Sequence, residues 1–194
     1  MNKRVLLFLP RGFELYEASV FTDVFGWSRL SGVTGVDLDT VSFEREVRCN
    51  WNLTVKSELL YEDIDPDSYD ALAIPGGFKR SGYYNDAYDK RLLELIVGFN
   101  RSHKYIAAVC TASLSLAKAG VLNGRGAVTY DLLDGYFQSQ LAGAGALVKH
   151  QPLFVDNNII TCCGPGAAIF CAFKLLSCLT DEDNMNKVKE MMRF

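Results

Sequence analysis

Histidine is nearly absent from this chain: among 194 residues only His103 and His150 carry an imidazole. A zinc site or a Cys–His dyad therefore has few candidate members. None of the six cysteines stands in a CxxC pair, and six are too sparse for a disulfide framework in a chain of this length. Reduced thiols, a cytoplasmic location and no bound metal are expected. Apolar runs of membrane length are also missing. The run Val5-Leu-Leu-Phe-Leu9 ends at Pro10 and Arg11 with no small-residue cleavage site after it. It reads as a first core strand rather than a signal peptide. An excess of positive charge is lacking too. A net charge of −3 and a pI near 5.4 argue against nucleic acid or an acidic membrane surface as partner. No linker, low-complexity tract or internal repeat breaks the chain.

What is present is a soluble core composition, 49% apolar with a mean hydropathy of +0.06. Residues 1–194 suit one α/β domain. Strand-like and helix-like runs alternate. RVLLFLP, VDLDTVSF, YDALAIPGG, YIAAVC and GRGAVTY read as strands. YEASVFTDVFGWSRL, DAYDKRLLELIVGFNRS, Thr111–Ala119, DLLDGYFQSQLAG and Gly164–Leu179 read as helices, and a final polar helix follows Thr180. Residues 47–60 look like an extended excursion or hairpin, and two short strands flank Asp156-Asn157-Asn158. Such alternation predicts a mostly parallel sheet with helices on both faces, and ligands collect at the carboxyl ends of its strands.

Cys110 is the most informative residue. The apolar strand YIAAV stops at it, and an Ala- and Leu-rich helix begins at once. A side chain on such an elbow is presented at the sheet edge, where the helix N–H groups favour thiolate over thiol. The alternative is a buried, inert cysteine. Gly76-Gly77 and the segment Gly12–Glu17 lie at two other expected strand ends.

The motifs LPRGFELYE, AIPGG, AAVCTASLSLAKAGVLNGRGAVTY and DNNIITCCGPGAA, in this order, resemble the ThiJ/PfpI superfamily over nearly the whole chain. The resemblance implies a flavodoxin-like, three-layer fold of the class I glutamine amidotransferase type, and a homodimer. It implies Cys110 as the reactive cysteine on a nucleophile elbow and Glu17 as its carboxyl partner. It further implies the backbone N–H groups of Gly77 and Thr111 as oxyanion donors, with Gly76 in the pocket. Two glycines allow close backbone approach, and a carboxyl beside a thiolate should hold its proton. Of the two glutamates, Glu14 is expected to be the solvated one.

Two departures bear on function. Tyr130 takes the place where many members carry histidine, so a peptidase activity transfers poorly. Trp27 and Trp51 fall where the human-like members place arginines, which predicts an aromatic rather than anionic pocket, one or both rings reaching it across a dimer interface. Cys162-Cys163 read as thiols pointing to opposite faces, Cys171 and Cys178 as core, and Cys49 as exposed and oxidisable. The expected activity is cysteine-dependent chemistry on a small electrophile, of hydratase, amidase-like or glyoxalase type, with no metal or organic cofactor. The alternative is a redox sensor or stress protein acting through oxidation of Cys110. An intracellular cysteine peptidase is the weakest reading.

Overall fold

The computed structural model describes residues 3–30 and 32–194. The chain runs β1 (Lys3–Phe8), α1 (Leu15–Trp27), β2 (Val36–Ser42), β3 (Glu46–Arg48), β4 (Thr54–Lys56), β5 (Leu59–Leu60) and β6 (Ala71–Ile74). It continues through α2 (Tyr83–Ala87), α3 (Lys90–Arg101), β7 (Tyr105–Val109), α4 (Ser113–Lys118), β8 (Gly126–Ala127) and α5 (Tyr136–Gly143). It ends with β9 (Leu147–Val148), β10 (Leu153–Asp156), β11 (Ile159–Cys162), α6 (Pro165–Leu179) and α7 (Glu182–Met191). Seven strands form one sheet in the order β10-β11-β7-β6-β1-β2-β5. All its pairs are parallel except β10 with β11, the hairpin around Asn157.

Both faces of the sheet are buried, as a parallel sheet requires. Alternate side chains serve alternate faces. Val5 and Leu7 of β1 pack with Phe21 and Phe25 of α1 and Phe173 of α6. Leu6 and Phe8 pack with Leu92, Ile96 and Phe99 of α3 on the other side. The result is the expected α/β architecture, a mostly parallel sheet flanked by helices.

Three expected elements are shorter than the sequence pattern suggests. The helix expected over DLLDGYFQSQLAG begins only at Tyr136, because Leu133, Asp134 and Gly135 all adopt positive φ (61°, 51° and 73°). The expected helix from Asp86 to Ser102 is interrupted. Asp89 accepts a hydrogen bond from the Arg91 N–H and starts α3 afresh. GRGAVTY supplies only β8, which pairs with β9 outside the main sheet. Residues 47–60 do form a hairpin, β3 with β4, and then β5 extends the sheet edge.

Strand order places the site. After β2 the chain returns past β1 to lay β6 on its other side, so a crevice opens where the order reverses. β7, β6 and β1 are consecutive in the sheet. Their carboxyl ends carry Cys110, Gly76-Gly77 and the segment leading to Glu14 and Glu17. The register pairs Ile74 with Ala108, which brings Gly76 level with Cys110.

Candidate active site

Cys110 follows β7 directly and adopts φ 58°, a left-handed conformation that costs a non-glycine residue on the order of 1–2 kcal/mol. Neighbouring hydroxyls hold the bend: the Cys110 carbonyl accepts from Ser113 Oγ at 3.0 Å and from Thr129 Oγ1 at 3.1 Å. A single 3₁₀ turn, Cys110–Ala112, then leads into α4. Cys110 thus sits on the elbow read from sequence.

Glu17 lies in the first turn of α1 and is 1% exposed. Its Oε2 accepts from the Gly76 N–H at 2.7 Å, while the buried Oε1 lacks a hydrogen-bond partner of good geometry. Burial pushes this carboxyl up to about 8, a charged Glu14 adds to the rise, and the Gly76 N–H opposes it. The proton is therefore retained at neutral pH, as the sequence suggested. The thiol departs from expectation. Burial raises Cys110 well above an ordinary cysteine, and an ionised Glu17 raises it further. The Thr111 N–H pulls the other way. Burial and the neighbouring carboxyl thus oppose the thiolate at Cys110, and the Thr111 N–H favours it.

Glycine is required at both positions of the β6 turn. A Cβ on Gly76 would lie 2.8 Å from Cys110 Cβ and 2.8 Å from Glu17 Oε2. One on Gly77 would collide with the Tyr83 ring and lie 2.5 Å from the Gly12 carbonyl oxygen. The Gly77 N–H, however, is not free. It donates to Thr111 Oγ1 at 3.1 Å, and that hydroxyl donates back to the Gly77 carbonyl at 3.0 Å. The oxyanion-donor role expected for Gly77 would require the Thr111 hydroxyl to turn away.

These groups floor a cleft of about 1170 Å³. Trp51, on the β3–β4 hairpin, lines it, as does Tyr130. Gly164 separates Tyr130 from the thiol: a Cβ there would stand 3.4 Å from the tyrosine ring and 3.9 Å from Cys110 Sγ. Trp27 does not line this cleft. It ends α1, about 15 Å along the axis from Glu17 at 1.5 Å per residue, and is 40% exposed. Glu14 is a second correction. It is 8% exposed, lines the cleft, and accepts from Trp51 Nε1 at 2.6 Å. The exposed Trp51 indole could equally donate to water, so no signal in the sequence marked Glu14 as its acceptor.

Both histidines stand away from the cleft lining. His103 precedes β7 at the opposite edge of the sheet, and His150 Nδ1 is 3.3 Å from Gln138 Nε2 on the surface. All six cysteines are unpaired. Cys49, expected to be exposed, is 3% exposed within the core against α1. Cys162 and Cys171 are buried, whereas Cys163 and Cys178 are half-buried. Among the described residues no three His, Cys, Asp or Glu side chains gather as a metal site needs, and no helix is long and apolar enough to cross a membrane.

With this geometry in place, comparison with known proteins is decisive. The DJ-1/PfpI family model matches residues 3–178. The chain belongs to the DJ-1/PfpI family. Drosophila melanogaster dj-1beta is 26% identical over 188 residues, 97% of this chain and 95% of that protein. Its crystal structure superposes with a TM-score of 0.87, covering 99% of this chain and 98% of that one at 23% identity. An oxidized Toxoplasma gondii DJ-1 gives a TM-score of 0.85 at 26% identity, covering 99% and 98%. A deglycase of Thermococcus kodakarensis is 30% identical over 138 residues, 68% of this chain and 76% of the relative. Some matches span only part of the relative: a Methanocaldococcus jannaschii protein aligns over 118 residues at 31% identity, 60% of this chain and 55% of its own length.

Proposed function

We propose that this DJ-1/PfpI member is an enzyme that uses Cys110 as a nucleophile on the electrophilic carbon of a small molecule. The observation that carries the reading is the half-buried Cys110 beside the buried Glu17 on the floor of an open cleft. A carboxyl held near 8 is matched to proton transfer near neutral pH. When Glu17 ionises, its carboxylate takes the Cys110 proton and the sulfur forms a bond to the carbon. The displaced electron pair moves to the carbonyl oxygen, which faces the Thr111 N–H and, with the Thr111 hydroxyl turned, the Gly77 N–H. Glu17 then returns its proton to that oxygen or to the leaving group. Hydration, amide hydrolysis and glyoxalase chemistry all begin with this step, and none of it requires a metal or organic cofactor. The relatives named as deglycases support a reaction of this kind. Peptidase activity lacks support, since Tyr130 stands in place of a ready base. We include in the proposal a homodimer.

A second reading has its own observation. A protonated Glu17 with an unpartnered Oε1 can donate to an oxygen on an oxidised Cys110 sulfur, and the Toxoplasma relative is described as oxidized. One experiment separates the two. A panel of small aldehydes, α-oxoaldehydes and amides is offered to the wild type and to Cys110→Ser. The enzyme reading expects turnover whose kcat/KM climbs with pH through about 8, falling at least about 100-fold in the variant. Absence of turnover, with peroxide adding two oxygen atoms to Cys110 by mass spectrometry, overturns it in favour of the sensor.

A further inference from the structure

The cleft is large for the small electrophile proposed above. About 1170 Å³ exceeds the usual range of a small-molecule pocket, roughly 300–1,000 Å³. Its walls are aromatic: Trp51, Phe78, Tyr84, Tyr88, Tyr136 and Phe137 all face it. Trp51 meets Phe78 edge-on at 5.7 Å, and Phe137 meets Tyr130 and Tyr136 at 6.0 and 5.1 Å. Flat rings set at angles leave slots suited to another ring.

Charge is distributed unevenly over this surface. The floor carries Glu14 and Glu17, the first held by the Trp51 indole and the second beside the thiol. The mouth carries Lys79 and Arg80, both exposed and both lining the cleft. The Arg80 guanidinium lies over Trp51 at 5.1 Å and Phe78 at 5.4 Å. Among the described residues neither cation has a carboxylate within ion-pair distance.

We infer that the cleft takes a planar aromatic compound that presents a neutral electrophilic carbon to Cys110 and carries an anionic group at its far end, on Lys79 and Arg80. This assignment of substrate class rests on the reading of Cys110 as nucleophile. No cationic side chain lines the floor to hold an anion next to the sulfur. The cations favour it at the mouth, so the ligand's orientation follows from the charge pattern. The arginine places expected from the family resemblance have become Trp27 and Trp51, yet cationic charge returns to the cleft from another segment, the turn after Gly77.

Affinity, read separately from turnover, tests this without relying on catalysis. Calorimetric titration of the full chain compares 4-acetamidobenzoate, acetanilide (no anion) and 6-acetamidohexanoate (no ring). The first is expected to bind about ten-fold more tightly than either of the others. Arg80→Gln, at an exposed position, should reduce its advantage over acetanilide to less than about three-fold while leaving its advantage over the aliphatic acid. Phe137→Leu should do the reverse. Equal affinity for acetanilide removes the anion from the assignment, and equal affinity for the aliphatic acid removes the ring; either overturns it. The titrations are repeated in Cys110→Ala. Loss of the affinity order counts against this inference, and loss of wild-type turnover with the order intact counts against the reading of Cys110.

Discussion

At the scale of single residues, Glu17 carries an electrostatic cost of burial. Its folded value of about 8 stands against an ordinary 4.5. The folded chain thus keeps a proton that the unfolded chain has already released. Stability from this source is whole below about pH 4.5 and is lost as pH rises toward 8. The loss is roughly 1.4 kcal/mol per pH unit, on the order of 3 kcal/mol by pH 7. Glu17→Gln keeps the shape and the acceptor for the Gly76 N–H but carries no charge. It should be more stable than the wild type at pH 8, with the advantage fading toward pH 4.5 in urea melts. A pH-independent advantage would show that Glu17 does not titrate between those limits. The proton on Glu17 was legible in the sequence, because its spacing in LPRGFELYE matches a known motif. The upward direction at Cys110 was not: the elbow was visible, but the surroundings of the sulfur, Gly164 and Glu17 among them, come from segments distant in the chain. Glu14 was misread for the same reason, since its partner Trp51 arrives on a distant hairpin.

At the scale of elements, the site depends on how closely β6 and β7 end side by side. Gly76→Ala would force a methyl group against Cys110 Cβ, Glu17 Oε2 and the Val109 carbonyl. Backbone and buried carboxyl cannot give way cheaply. A destabilisation of about 1–3 kcal/mol is expected, together with slower alkylation of Cys110 by iodoacetamide. Stability and alkylation both at wild-type level would mean that the turn is looser than its contacts suggest. Strands and long helices were readable because period-2 and 3.6-residue patterns survive in a single sequence. The segment from Asp131 to Gly135 was not, because it was read as the first turn of a helix while three successive left-handed residues, Leu133 to Gly135, prevent one. Within one chain Trp27 lies one helix away from Glu17, so its expected place at the cleft would depend on the partner of the proposed homodimer.

At the scale of the whole molecule, α1 and α6 cover one face of the sheet and leave aromatic side chains exposed: Tyr16 at 50%, Trp27 at 40% and Phe170 at 51%. The proposed homodimer would use this face. Light scattering should then give twice the 21.6 kDa of one chain, and Phe170→Glu should return it to one. A monomeric wild type at tens of micromolar, roughly the range of a weak interface, would discard the dimer. The sheet also divides labour within the molecule. Cys110, Gly76 and Glu17 are set by three adjacent strands, and sheet spacing is about 4.8 Å whatever the loops do. Phe78, Arg80, Tyr136 and Phe137 come instead from the segments that follow, where replacement leaves the strand register untouched. Under the proposed function, reactivity and selectivity are inherited separately. A lineage built on this scaffold would exchange one substrate for another by rewriting two surface segments, with Cys110 and Glu17 carried through unaltered.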